Sequence, residues 1–280
     1  MHIVKSIAEM QRTCRALQTE GSELGFVPTL GALHEGHLSL VRRARLECAA
    51  VAASIFINPL QFAPGEDLAR YPRTFEEDCE SLGEEGVDVL FAPEAGEMYP
   101  YDAVTTVTVP GVGDRLDGAS RPGHFTGVAT VVAKLFHIVA PKRAYFGQKD
   151  AAQVAVLRQM VRDLNFDIEL VICPIVRDVD GLALSSRNRY LSATERRQAL
   201  VLHQVLLQIE QLIADGERKS SVLVQYGTEI LRSEPAIRVD YLAIVDANTL
   251  LPVTSVKKGC LVAVAAYVGG TRLIDNFLVA

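Results

Sequence analysis

No run of apolar residues in this 280-residue chain reaches the roughly 18 needed to cross a bilayer. The opening MHIVKSIAEM turns polar before it could supply the apolar stretch of a secretory leader. Neither membrane insertion nor export is expected, and the chain reads as cytoplasmic. Basic charge is also scarce: 28 lysines and arginines stand against 34 aspartates and glutamates, a net charge of -6. That balance gives no general attraction to nucleic-acid phosphates or to anionic lipid, and leaves only local basic sites open. Paired cysteines are missing as well. Cys14, Cys48, Cys79, Cys173 and Cys260 are odd in number and never spaced CxxC, which argues against a zinc knuckle or disulfide framework and suits a reducing compartment. Each is expected to be a small buried apolar side chain. There is no internal repeat and no low-complexity segment.

What is present is ordinary globular material, 49% hydrophobic and 22% charged, enough for one large domain and a small one. Ser6 followed by Glu9 predicts a capping box and a first helix that stops at Gly21. A short strand over 25–28 runs into a loop at 29–35, a helix over 36–48 and a β-branched strand over 49–57. Further strands are expected at 87–92, 143–146 and 168–175, with a helix over 150–165. This order indicates an α/β fold, a Rossmann-like doubly wound parallel sheet with right-handed crossovers. After Asn188 the pattern changes: Ser192 and Glu195 open a long helix to about residue 214, then come a shorter helix and two alternating apolar strands near 241–245 and 261–267. These predict a smaller C-terminal α+β domain whose sheet has one wet face.

The most informative stretch is PTLGALHEGH at 28–37. A strand ends, a glycine loop turns, and His34 and His37 sit at the mouth of a helix, whose bare N–H groups and partial positive charge favour phosphate by about 0.3–2 kcal/mol per contact. Gly31 and Gly36 let backbone approach a nucleotide, and His37 can reach the α-phosphate. Two histidines that merely cap a helix are the plain alternative. In GLALSSRN at 181–188, Ser185, Ser186 and Arg187 offer phosphate donors, unless the stretch is only a capping turn. In YFGQKD at 145–150, Lys149 and Asp150 stand just past a strand, in the crevice where open α/β sheets bind ligands. Asn58, Gln61 and Gln153 are neutral amides suited to a hydroxylated acid whose carboxylate must stay charged enough to attack phosphorus. Leu30, Phe56 and Phe62 could cover an aliphatic portion, and Arg121 with His124 in the loop RPGHFTGV could form a substrate-side wall or a capped turn.

HxGH after the first strand of such a sheet is similar to the signature of the nucleotidylyltransferase superfamily. Together with INPLQF, YPRT at 71–74, RPGHFTGV, GQKD, DGLALSSRN and RLIDN at 272–276, in this order, the chain resembles the pantothenate synthetase (pantoate–β-alanine ligase) family along nearly its whole length. The resemblance implies ATP-dependent activation of pantoate as an acyl adenylate, then displacement of AMP by β-alanine, with magnesium accompanying the triphosphate. It implies a catalytic set of His34, His37, Lys149 and Arg187, with His34 and His37 along the phosphates. Gln61 and Gln153 would hold pantoate, Gly147 and Asp150 would face the ribose, Lys149 the phosphates and Val176 the adenine. Ser185, Ser186 and Arg187 would meet the phosphates from the far side, with Leu30, Gly31 and Leu184 completing the nucleotide pocket. It implies further a homodimer, a catalytic unit at 1–176 and a lid at 177–280. Two positions depart from the family's common pattern: Leu30 replaces a methionine, and Gln148 a glutamate beside Lys149. The phosphate motifs alone leave open a nucleotidylyltransferase, an activator of another small acid, or an ATP-binding sensor without chemistry.

Overall fold

The computed structural model describes residues 1–18 and 22–280. Strand β1 (His2–Val4) leads to helix α1 (Ile7–Leu17), which Ser6 caps by accepting the N–H of Glu9 at 3.4 Å. The expected stop of this helix at Gly21 lies outside the described residues. Next come β2 (Leu24–Thr29), α2 (Glu35–Glu47), β3 (Ala50–Ile55), α3 (Phe75–Glu84) and β4 (Val89–Phe91). Two single-turn helices, α4 (Ala95–Met98) and α5 (Asp117–Ser120), precede α6 (His124–Val139), β5 (Arg143–Gly147), α7 (Ala151–Asp163) and β6 (Glu169–Cys173).

The six strands form one parallel sheet in the order β1-β4-β3-β2-β5-β6. Side chains part by the period of two that a strand imposes. Leu24, Phe26, Ala52, Phe91 and Phe146 pack toward α1, α6 and α7, whereas Val27, Val51, Ala53, Leu90 and Tyr145 pack toward α2 and α3. Helices therefore cover both faces, as a doubly wound sheet requires. From β2 the chain first builds outward to β3 and β4, then returns to add β5 and β6 on the other side. The order reverses between β2 and β5, and the loops leaving both strands meet at that switch point.

The sequence reading missed α6, whose start was taken for a loop. Twelve of its sixteen residues are buried, leaving His124, Thr126, Lys134 and His137 as a narrow polar face in a long apolar run. Beyond residue 190 come α8 (Ala193–Ala214), α9 (Ser220–Ser233) and an antiparallel meander of β7 (Ile237–Asp246), β8 (Cys260–Val268) and β9 (Thr271–Leu278). The capping box at Ser192 and Glu195 forms as expected, while β9 is a third strand beyond the two expected. The expectation of one wet face is overturned. On β8, Val262, Val264 and Ala266 pack with α8 and α9, while Leu261 and Ala263 join the cluster that contains α6. The small sheet is sandwiched between its own helices and the large unit, so its middle strand is buried on both sides. Among the described residues, no helix is long and apolar enough to cross a membrane.

Candidate active site

Loops from the switch point and from the C-terminal part enclose one cavity of about 480 Å³. Leu30, His34, His37, Gly147, Lys149, Asp150, Gln61 and Gln153 line it, and from the other side so do Val176, Leu184, Ser185, Ser186 and Arg187. Phe56 and Phe62 line it too. Gly31 does not. It sits behind the wall at φ +83°, where a Cβ would come 3.0 Å from Ile55 and 3.1 Å from the Asp78 carboxylate, so glycine is needed there for the turn itself.

The loop of PTLGALHEGH is held from beneath. Asp78, on α3, accepts the N–H groups of Ala32 and Leu33, both at 2.8 Å, and Thr74 donates to the same carboxylate at 3.1 Å. Thr29 Oγ1 accepts from Gly31 N–H at 3.2 Å. His34 is itself the cap of α2, its Nδ1 accepting Gly36 N–H at 3.1 Å. A Cβ at residue 36 would lie 2.9 Å from that ring. The bare amides expected at this helix start are thus largely occupied by protein acceptors, and side chains are what the site offers a phosphate. Sequence reasoning did not find Asp78, because it lies more than forty residues from the loop it supports.

Because His34 Nδ1 accepts, its Nε2 carries the proton of the neutral ring. The His37 ring stacks on it with centroids 4.0 Å apart, and His37 Nδ1 is buried without a partner among the described residues. Burial, followed by the charge of Lys149, pushes His34 down to about 4. Burial, then His34 and then Lys149 hold His37 well below its usual value. Both imidazoles are therefore neutral hydrogen-bond donors near neutral pH. The Lys149 ammonium stands 3.4 Å from Asp150 at the start of α7. Gly147 borders the cavity with no protein atom within 4 Å of where its Cβ would be.

Opposite, the Arg187 guanidinium is gripped by Asp67 in a two-pronged bond, 2.8 Å from Nε and 3.0 Å from Nη2. Burial works to raise the Asp67 carboxyl, but the bonds and charge of Arg187 outweigh it and keep it low. Ser186 donates to the carbonyl of Ala32 at 3.0 Å, so its proton ties this turn to the histidine loop. Ser185 accepts Arg187 N–H at 3.3 Å and keeps its own hydroxyl proton. Leu184 N–H bonds to Val176 C=O at 3.0 Å, closing the loop that presents both.

Asn58 is fully buried and does not reach the cavity. Its Nδ2 donates to Gln61 Oε1 and to Gly127 C=O, both at 3.0 Å, while its Oδ1 accepts from Tyr99 at 2.9 Å. Gln61 is thereby turned so that, among the described residues, its Nε2 end has no protein partner. The backbone around Gln61 is clamped as well: His124 Nδ1 lies 2.7 Å and Arg121 Nη2 3.3 Å from its carbonyl, and Arg121 is paired with Glu66 at 2.6 Å. Arg121 donates to His124 Nε2 at 3.0 Å, so Nδ1 bears the ring proton; burial, then Arg121, push His124 down to about 4. His124 opens α6 and acts from a helix end rather than from the loop expected.

Two neutral histidines, an ammonium, a guanidinium and an oriented glutamine around one cleft suit chemistry at a polyphosphate beside a small acid. Known proteins agree. A family model described as pantoate-beta-alanine ligase matches residues 2–278. Pantothenate synthetase of Koribacter versatilis is 59% identical over 278 residues, covering 99% of this chain and 96% of that protein; that of Acidobacterium capsulatum is 60% identical over 289 residues, covering 99% and 97%. The crystal structure of pantothenate synthetase from Thermus thermophilus superposes with a TM-score of 0.94 at 51% identity, covering 99% of each chain. Pantoate-beta-alanine ligase from Francisella tularensis, solved with beta-gamma ATP and beta-alanine, superposes at 0.82 with 33% identity, covering 99% of this chain and 97% of that one. With a fold, a cleft and a full-length likeness that all coincide, the chain belongs to the pantoate-beta-alanine ligase family.

Proposed function

We propose that this chain condenses pantoate with β-alanine at the expense of ATP, through a pantoyl adenylate, releasing pyrophosphate and then AMP. The observation that carries the reading is the single cleft in which Gln61, oriented by Asn58, shares a wall with His34, His37 and Lys149. The pantoate carboxylate attacks the α-phosphorus, one O–P bond forms, and the bond to pyrophosphate breaks. No covalent enzyme nucleophile is needed, and the protein's part is alignment and neutralisation of developing charge. Neutral His34 and His37 donate to phosphate oxygens, with His37 at the α-phosphate; Lys149 and Arg187 screen the departing pyrophosphate. The β-alanine nitrogen then attacks the acyl carbon and AMP leaves.

In this reading Gln61 and Gln153 hold pantoate, Asp150 and Gly147 face the ribose, Val176 and Leu184 the adenine side, and Ser185 the phosphates. Ser186 supports the turn through Ala32. Magnesium enters as part of the ATP substrate. Among the described residues no three His, Cys, Asp or Glu side chains converge, which fits an ion that keeps phosphate and water ligands. The reading divides the chain at 176/177 into a catalytic unit and a lid that shields the adenylate from water. The proposal includes a homodimer, as the resemblance of the motifs implies, and a cytoplasmic location, which five free cysteines, four of them buried, support.

Isotope exchange between pyrophosphate and ATP, with magnesium and pantoate present and β-alanine absent, tests it. Pantoate-dependent exchange is expected, and addition of β-alanine should yield AMP and the amide. Exchange driven by a different small acid would replace pantoate as the substrate, and folded protein that exchanges with none would overturn the adenylate mechanism.

A further inference from the structure

Asp275 and Asn276, consecutive on β9, are 3% and 2% exposed and are tied to two turns of the cleft at once. Asn276 uses its whole amide on the GQKD turn. Its Nδ2 donates to the carbonyls of Gln148 at 3.1 Å and Lys149 at 2.9 Å, and its Oδ1 accepts from Gln148 Nε2 at 2.8 Å. Asp275 accepts both arms of Arg177, at 2.6 and 3.0 Å, and Arg177 also donates to the carbonyl of Gly181 at 3.2 Å, where GLALSSRN begins. Asp275 Oδ1 further accepts the N–H of Asn276 at 2.8 Å, locking the two residues together.

We propose that Asn276 is a positioning residue for Lys149, and that the Asp275–Asn276 pair is where the C-terminal sheet sets the geometry of both phosphate-facing turns. The proposal rests on the adenylate-forming reading for the role of Lys149. A lysine is a compact charge on a flexible four-carbon stem, so where its ammonium stands depends on how its backbone is held. Lys149 belongs to a single turn of tight helix, Gln148–Asp150, and Asn276 binds the carbonyls of Gln148 and Lys149, one on each side of the Lys149 Cα. A misplacement of about 1 Å at such a group can cost on the order of a hundredfold in rate.

Gln148 is chemically matched to this arrangement. A carboxylate at 148 has no N–H to give Asn276 Oδ1. Asn276 would have to turn its amide toward the carboxylate and withdraw a donor from the backbone carbonyls. The glutamine that departs from the family's common glutamate therefore completes the buried amide pair, and its side chain is directed to β9, not to Lys149.

The test is a double-mutant cycle on the full-length chain with Asn276→Asp, which keeps size but removes the Nδ2 donors, and Asn276→Ser, which does so without adding charge. Each is paired with Lys149→Ala, and pantoate-dependent ATP–pyrophosphate exchange is read. Either Asn276 variant is expected to lower kcat for exchange about tenfold or more with the KM for pantoate within about twofold. In the Lys149→Ala background the same substitutions should change the rate by less than about twofold, because the group they position is gone. Gln148→Glu should move kcat in the same direction, by about threefold. A merely structural role would lower the melting temperature but reduce the rate by the same factor with and without Lys149; that result, or an unchanged kcat, overturns the proposal. If the unmodified chain shows no exchange, the functional reading fails by itself. The cycle read by calorimetric binding of magnesium ATP then decides positioning on the same criterion of non-additivity.

Discussion

Asp67 holds Arg187 through both of its carboxylate oxygens, at 2.8 and 3.0 Å, across 120 residues of sequence. The guanidinium on the far wall of the cleft is therefore already neutralised, and in the proposed function a triphosphate shares it with a carboxylate. Replacing Asp67 by Asn keeps the shape and one acceptor but removes the competing charge. We expect Asp67→Asn to lower the KM for ATP by about three- to tenfold and to cost about 1–3 kcal/mol of stability through the weakened pair. Steady-state kinetics beside thermal unfolding checks both, and a raised KM would mean that the carboxylate aligns Arg187 more than it competes for it.

His37 carries a buried Nδ1 with no partner among the described residues, so its ring contributes little to the fold through that nitrogen. If it stabilises charge at the α-phosphorus, His37→Ala should lower ATP–pyrophosphate exchange by about two orders of magnitude, the scale of one lost oxyanion-type donor. The melting temperature should be unchanged or slightly higher. Near-normal exchange would remove His37 from the mechanism.

Gly127 does not line the cavity, yet a Cβ there would come 2.2 Å from the Leu60 carbonyl oxygen and 2.6 Å from Gln61 N. Backbone of the Pro59–Gln61 turn lies directly on this face of α6, which is also what lets Asn58 reach the Gly127 carbonyl. Gly127→Ala should push the turn away, raise the KM for pantoate about tenfold, leave the KM for ATP within about twofold, and cost about 1–3 kcal/mol by overpacking. Equal effects on both substrates would show that Gln61 does not define the acid's subsite.

Acid should weaken the fold before it titrates most carboxylates. His34 and His124 are pushed down to about 4 and His37 is held well below its usual value, all by burial first. Unfolded histidines take up protons near pH 6.5, so below that value the unfolded state binds more protons than the native one. Stability from these residues is complete above about pH 6.5 and is lost as pH falls toward 4, each contributing a slope of about 1.4 kcal/mol per pH unit within the window. Urea unfolding at intervals from pH 7.5 to 5 measures it, and a flat profile would refute the neutral-histidine description.

Most of the parallel sheet was legible because its strands are short apolar runs ended by glycine or proline and separated by helical periods, and because HxGH and GQKD follow strand ends; the three-residue β1 was too short to show a pattern. Helix α6 was not, since its few polar residues are spread through a long apolar run that opens on the glycine-rich RPGHFTGV. The wet face assigned to the small sheet followed from its alternation, but alternation records side-chain direction and not what covers each side. Asp67 and Asp78 had no motif to mark their roles, and RLIDN gave no sign that Asn276 meets the Lys149 turn, because a partner brought close by folding leaves no spacing in the chain.

By itself, the sequence determined the alternation of strands and helices in most of the large unit, the family, and the residue types that line the cleft, all properties of local patterns and motifs. Only the tertiary structure decided how those groups are held: that Asp78 occupies the loop's amides, that burial keeps the histidines neutral, that Asp67 engages Arg187 and Asn276 the Lys149 turn. Charge state and orientation depend on distance and desolvation, and those exist only once remote parts of the chain have been packed together.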